Sequence, residues 1–230
     1  MYKSLFIDLD DTLWDFSGNA EETFREVYAL YAFQRYFDSF EQFYALYTRY
    51  NAELWKAYAA GEITKDDLNR RRFAYPLLCA GVDDARLFKD YSDKFFSIIP
   101  FKSRLKPYAR EALEYLSSRF RLYVLSNGFR ELQEQKMRSS GILHYFEKVI
   151  LSEDIGVHKP CPALFHFALS VAQTDVKGAL MVGDSWEADI EGAHGVGMRQ
   201  LFYNVQGKQD LPFRPTYMIN DWREIQGLDI

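Results

Sequence analysis

The chain has 230 residues, 48% hydrophobic and 27% charged, which is enough apolar material for a sizeable core in one or two domains. A net charge of −5 and a pI near 5.5 exclude the basic footprint of a nucleic-acid binder. Cys79 and Cys161 make no disulfide framework and fit a reducing cytoplasm. The short apolar run Leu5–Ile7, stopped by Asp8, fits neither a signal peptide nor a membrane span.

Ser4 to Leu9 reads as a short, fully buried strand, and it runs straight into carboxylates at Asp8, Asp10 and Asp11. A long helical region follows. Ala20, Phe24, Val27 and Tyr31 form one apolar stripe, and Phe43, Tyr47, Tyr50, Leu54 and Tyr58 another. Gly61 ends a helix, and Thr64 with Asp67 forms a capping box for the next, which reaches Cys79. Pro76 inside it predicts a kink or an early end. A further helix spans Asp84 to Ser97. From Phe101 the rhythm changes. Helices are expected from Pro107 to Ser118, Glu131 to Ser139, Pro162 to Val171 and Trp186 to His194. Strands are expected at Phe120–Leu125, Lys148–Leu151, Ala179–Val182, Gln200–Tyr203 and Thr216–Ile219. This alternation predicts an α/β fold with a Rossmann-like parallel sheet core and an inserted all-helical domain. Residues 1–14 and 102–230 form the core, and 15–101 the insertion.

In open parallel sheets, ligands bind beyond the carboxyl ends of the strands. Four polar clusters fall there: Asp8 to Thr12, Ser126-Asn127-Gly128, Lys159, and Gly183-Asp184 through Asp189. Singly, each has an ordinary explanation as a turn, a helix cap or a solvated residue. Together, in this order, they point to one site. Crowded carboxylates become tolerable around a divalent cation, and Mg²⁺ takes hard oxygen ligands, with Asp8 and Asp184 the natural pair.

The stretches DLDDT, SNG after a strand, the lysine of GVHKP, and GDSWEAD resemble the four motifs of the haloacid dehalogenase-like (HAD) hydrolase superfamily. The helical insertion resembles its cap. DLDDTLW, GEIT and GVHKPCPALF most resemble the bacterial pyrimidine 5′-nucleotidase branch. The resemblance implies Asp8 as nucleophile, forming an aspartyl phosphate, and Asp10 as general acid and then base. It implies that Asp10 also lends a backbone carbonyl to Mg²⁺ and that Thr12 orients the loop. Ser126 and the amides of Asn127 and Gly128 would hold phosphate, and Lys159 would neutralise charge. Asp184 would bind the metal directly, with Asp189 in support. Asp11 would cap or face solvent. Asp10 also favours phosphate esters over halides, because a halide needs no acid to leave.

The expected function is a Mg²⁺-dependent phosphatase for small phosphate monoesters, foremost nucleoside monophosphates. Related alternatives are phosphoglycolate or sugar phosphatases and phosphosugar mutases. A receiver-like signalling domain shares an aspartate, an acidic metal site, a hydroxyl and a lysine, but the insertion and Asp10 speak against it. No nucleic-acid polymer or membrane is expected as partner, and the chain is expected to be a monomer or weak homodimer. The segment Trp14–Phe101 holds 22 of the 39 aromatics, which predicts an aromatic core of its own. Arg70-Arg71-Arg72 reads as a solvated helix face.

Overall fold

The computed structural model describes residues 2–230. In chain order the elements are β1 (Ser4–Ile7), α1 (Phe16–Leu30), α2 (Phe40–Ala59), α3 (Lys65–Cys79), α4 (Ala85–Ile98), α5 (Ala109–Ser117), β2 (Arg121–Ser126), α6 (Arg130–Ser139), β3 (Lys148–Leu151), α7 (Pro162–Val171), β4 (Ala179–Gly183), α8 (Gly192–Gly195), β5 (Arg199–Tyr203) and β6 (Tyr217–Ile219). The chain divides into two compact units: Met1–Phe16 with Ser103–Ile230, and Ser17–Lys102.

In the first unit the described strands form one six-stranded sheet, all parallel, in the order β3-β2-β1-β4-β5-β6. Strands covered on both faces must be apolar throughout. SLFI of β1 and ALMVG of β4 are accordingly buried at every position. On one face α7 presents Leu164, Phe165, Ala168 and Leu169, a helical stripe packed against Phe6, Tyr123, Leu125, Ile150 and Met181. Leu164, Phe165 and Leu169 each contribute ~1.5–3 kcal/mol by leaving water. In β1, Ile7 pairs with Val124 on one side and Val182 on the other. The strand order reverses between β1 and β4, and a crevice opens beyond such a switch point. Asp8 is the first residue past β1, at that position.

The second unit consists of α2, α3, α4 and most of α1. Its interior is aromatic, as the composition predicts. The Phe24 ring lies 4.2 Å from Tyr47 and 4.3 Å from Phe95, with Phe43 and Phe73 also against it. The Thr64–Asp67 capping box is formed. Helix α3 runs to Cys79, as expected, and the early end that Pro76 allowed does not occur. Pro76 and Leu77 are buried, and packing them outweighs one lost backbone hydrogen bond. One expectation needs correction: Arg72 is not a solvated residue. Arg70 and Arg71 are exposed, but Arg72 is buried, with its guanidinium donating to Asn51 and Asn69. A helix has an inner face, and every third or fourth residue must meet it.

Candidate functional site

The loop after β1 folds back tightly. Leu13 and Trp14 donate backbone hydrogen bonds to the Leu9 carbonyl, and the Trp222 indole donates to that of Thr12 at 3.0 Å. Asp11 sits at the turn with φ 60°, a left-handed conformation that aspartate tolerates, and pairs with Lys106 at 3.5 Å. It is therefore a turn residue rather than a helix cap.

Lys159 reaches the end of β1 from the loop before α7. Its ammonium is buried and donates to Asp8 Oδ1 at 2.7 Å, Asp189 Oδ1 at 2.6 Å and the Leu125 carbonyl at 2.7 Å, which uses all three protons. Burial alone would lower its pKa, but Asp189 and Asp8 outweigh that and leave it above an ordinary lysine. The Asn127 side chain fixes the Lys159 backbone from both sides, donating to its carbonyl at 3.0 Å and accepting from its N–H at 2.8 Å.

Asp184 follows β4. Its Oδ1 accepts from the Thr12 hydroxyl at 2.8 Å, and its own amide donates to that hydroxyl at 3.1 Å. Thr12 is fully buried, so its hydroxyl serves Asp184. Asp189 lies in a π-helical turn, Trp186–Glu191, that interrupts the expected α-helix before α8. Such bulges recur at functional sites because they re-aim a side chain. Only glycine fits beneath it: a Cβ on Gly183 would lie 2.7 Å from Asp189 Cβ and closer still to the carboxylate.

Asp8, Asp184 and Asp189 each offer an oxygen within 4.8 Å of the others. Three carboxylates face one ammonium, so the cluster is short of positive charge. Burial, the dominant cause, raises Asp8 well above the usual carboxylate value despite Lys159, and raises Asp184 to about 7. Such a hard-oxygen set suits a divalent cation. Asp189 is the least available of the three, since its oxygens already accept from Lys159 and from the Ser185 amide at 3.1 Å. A cavity of about 230 Å³ reaches Asp184 between Ser185, Phe202 and Asn204.

Asp10 stands apart from this cluster. Lys136 Nζ donates to its Oδ1 at 2.8 Å and Gln133 Nε2 to its Oδ2 at 2.9 Å. The same Gln133 nitrogen donates to Ser126 Oγ at 2.7 Å, and the Gly128 amide donates to Ser126 Oγ at 3.0 Å. Sequence reasoning did not find Gln133 and Lys136. A signal was present: Phe129, Gln133, Lys136, Met137 and Ser140 make a buried helical stripe, and two of its members are long polar side chains.

A family profile for haloacid dehalogenase-like hydrolases matches residues 2–197. YfnB of Bacillus subtilis, named for that same hydrolase family, is 28% identical over 97% of this chain and 94% of its own. A crystal structure of YfnB bound to magnesium superposes with a TM-score of 0.87 over 98% of this chain and 97% of that one, at 26% identity. The pyrimidine 5′-nucleotidase YjjG of Escherichia coli is 26% identical over 97% of this chain and 96% of its own. A glyceraldehyde 3-phosphate phosphatase of Methanopyrus kandleri is 33% identical over 98% and 96%. With the motif loops gathered at one end of a parallel sheet and the profile spanning most of its length, the chain belongs to the haloacid dehalogenase-like hydrolases.

Proposed function

We propose that this hydrolase is a Mg²⁺-dependent phosphatase for small phosphate monoesters, acting through an aspartyl phosphate on Asp8 and preferring nucleoside 5′-monophosphates. The observation that carries the reading is the pairing of two differently held carboxylates. Asp8 is buried against Lys159, and Asp10 is tied to Ser126 through Gln133. A phosphatase of this kind needs one carboxylate to attack and a second to move a proton.

An Asp8 oxygen attacks phosphorus as the bond from phosphorus to the ester oxygen breaks. Asp10 gives its proton to the departing alkoxide. Asp10 then takes a proton from water as the water oxygen attacks phosphorus. The bond from phosphorus to Asp8 breaks, releasing phosphate and the original carboxylate. Lys159 stays protonated and hydrogen-bonded to Asp8 throughout, and so stabilises the negative charge that gathers there. The Ser126 hydroxyl and the Asn127 amide donate to phosphate oxygens, whereas the Gly128 amide, also expected there, is already used by Ser126 Oγ at 3.0 Å. Asp8, Asp184 and the Asp10 backbone carbonyl are the groups for Mg²⁺, with Asp189 acting through Lys159 and Ser185. Bound there, Mg²⁺ would supply positive charge to the transferring phosphoryl group.

The nucleotide preference is supported by the wording shared with the pyrimidine nucleotidase branch and by the likeness to YjjG. The higher identity to a glyceraldehyde 3-phosphate phosphatase supports a triose or sugar phosphate as the second reading. The test is phosphate release from pyrimidine and purine 5′-monophosphates, sugar and triose phosphates, and phosphoglycolate, with and without Mg²⁺, beside Asp8→Asn. Mg²⁺-dependent turnover led by nucleotides and lost in the variant is expected. Turnover led by a triose phosphate overturns the substrate, and turnover that survives Asp8→Asn overturns the mechanism.

A further inference from the structure

We infer that Lys136 and Gln133 are positioning residues for Asp10, gripping both oxygens of its carboxylate from one face of α6 and holding it beside the phosphate-binding strand end. The inference rests on the reading of Asp10 as proton carrier given above.

Lys136 and Gln133 are three residues apart, so they share a helix face. Each takes a different Asp10 oxygen, at 2.8 and 2.9 Å, and two bonds to two oxygens fix the rotation of a carboxylate as well as its place. Gln133 adds the link to Ser126, so the proton carrier and a phosphate-binding hydroxyl move as one. Lys136 has little room to swing. Its ammonium lies 4.7 Å from the Trp14 ring centre and 5.4 Å from that of Phe16, and its side chain is 4% exposed. Gly128 contributes by absence: a Cβ there would lie 3.1 Å from Gln133 Cγ and run into its amide.

The arrangement is a poor choice for stability alone. It buries an ammonium, and Gln133 Oε1 is a buried acceptor without a hydrogen-bond partner in the structure. The amide is seated for its donors, and those donors point at Asp10 and Ser126. A purely structural Lys136, present only to cover Trp14, predicts a different kinetic result.

The test compares wild type, Lys136→Met and Gln133→Met on an alkyl and an aryl phosphate by rapid quench. An alkoxide needs the proton of Asp10 to leave, and p-nitrophenolate does not. A misplaced acid costs about a hundredfold, so alkyl-ester cleavage should fall by roughly that factor with KM within about twofold. The first turnover on p-nitrophenyl phosphate should stay within about threefold of wild type, followed by slow turnover as phosphoenzyme accumulates, because its hydrolysis still needs Asp10 as base. The Gln133 variant keeps the outcome readable if Lys136→Met folds poorly. Equal losses on both esters in the first turnover, or a lower Tm with unchanged kinetics, would overturn the positioning role. A wild type that cleaves neither ester overturns the phosphatase reading itself, whereas an active wild type with unaltered variants overturns only this one.

Discussion

Gly183→Ala is the most informative single change in the acidic cluster. The added methyl would lie 2.7 Å from Asp189 Cβ and nearer still to its carboxylate, where real Cβ atoms essentially never come within 3.0 Å of anything. The carboxylate has to retreat by about 1 Å before contact becomes tolerable. Its Oδ1 holds Lys159 at 2.6 Å and its Oδ2 holds the Ser185 amide at 3.1 Å. A retreat of that size breaks one of these bonds or pulls Lys159 away from Asp8. Overpacking costs ~1–3 kcal/mol and a lost charge-assisted hydrogen bond ~1.5–3 kcal/mol, so about 2.5–6 kcal/mol in all is expected. For a chain of this size that is roughly 5–24 °C in Tm. Calorimetric unfolding of the metal-free protein checks the stability, and isothermal titration with Mg²⁺ checks the site. A variant with the wild-type Tm and Mg²⁺ affinity would show that the Asp189–Lys159–Asp8 chain is not rigid, and would refute the reasoning.

Other expectations follow from the same geometry. Asp10→Asn should abolish turnover while leaving Mg²⁺ binding by titration intact; normal turnover would remove Asp10 from proton transfer. Thr12→Val deletes the hydroxyl that both donates to Asp184 and accepts its amide, leaving that amide unpaired. A loss of about 1–3 kcal/mol by chemical denaturation and weaker Mg²⁺ binding are expected. Burial is the largest cause that raises Asp184 from 3.8 to about 7, and Asp8 moves the same way. The metal-free fold therefore binds these protons more tightly than the unfolded chain. The Asp184 contribution is fully present below the ordinary carboxylate range and is lost as pH rises through about 7, and that of Asp8 falls in the same direction. A bound cation reverses this, so the Tm gain from Mg²⁺ should grow between about pH 5 and about pH 8, and a flat gain would contradict it. Ser39→Ala removes the hydroxyl that accepts from the Gln42 amide at the start of α2. It should lower stability by about 1 kcal/mol without altering kcat.

Much of this protein is local and therefore written along the chain. Strands buried on both faces show as apolar runs, because no alternation survives when neither face meets water. Glycines and capping residues mark where elements stop, because each acts within a few residues. Asp8, Asp10 and Asp184 could be singled out because they stand just past strand ends, and Lys159 because it lies in the loop that leaves β3 for α7, where a parallel sheet gathers its chemistry. Where a helix residue points, and what it meets there, is not local. Lys136 finds Asp10 across 126 residues of sequence, and Thr12 finds Asp184 across 172. Those meetings depend on β1 lying between β2 and β4, a strand order set by the packing of the whole sheet. The same holds for Arg72, whose burial depends on which face α3 turns inward. The sequence by itself determined the kinds of groups at the site and the strand ends that carry them. Only the tertiary structure decided which hydrogen bonds they share, because those distances are fixed by contacts between segments far apart along the chain.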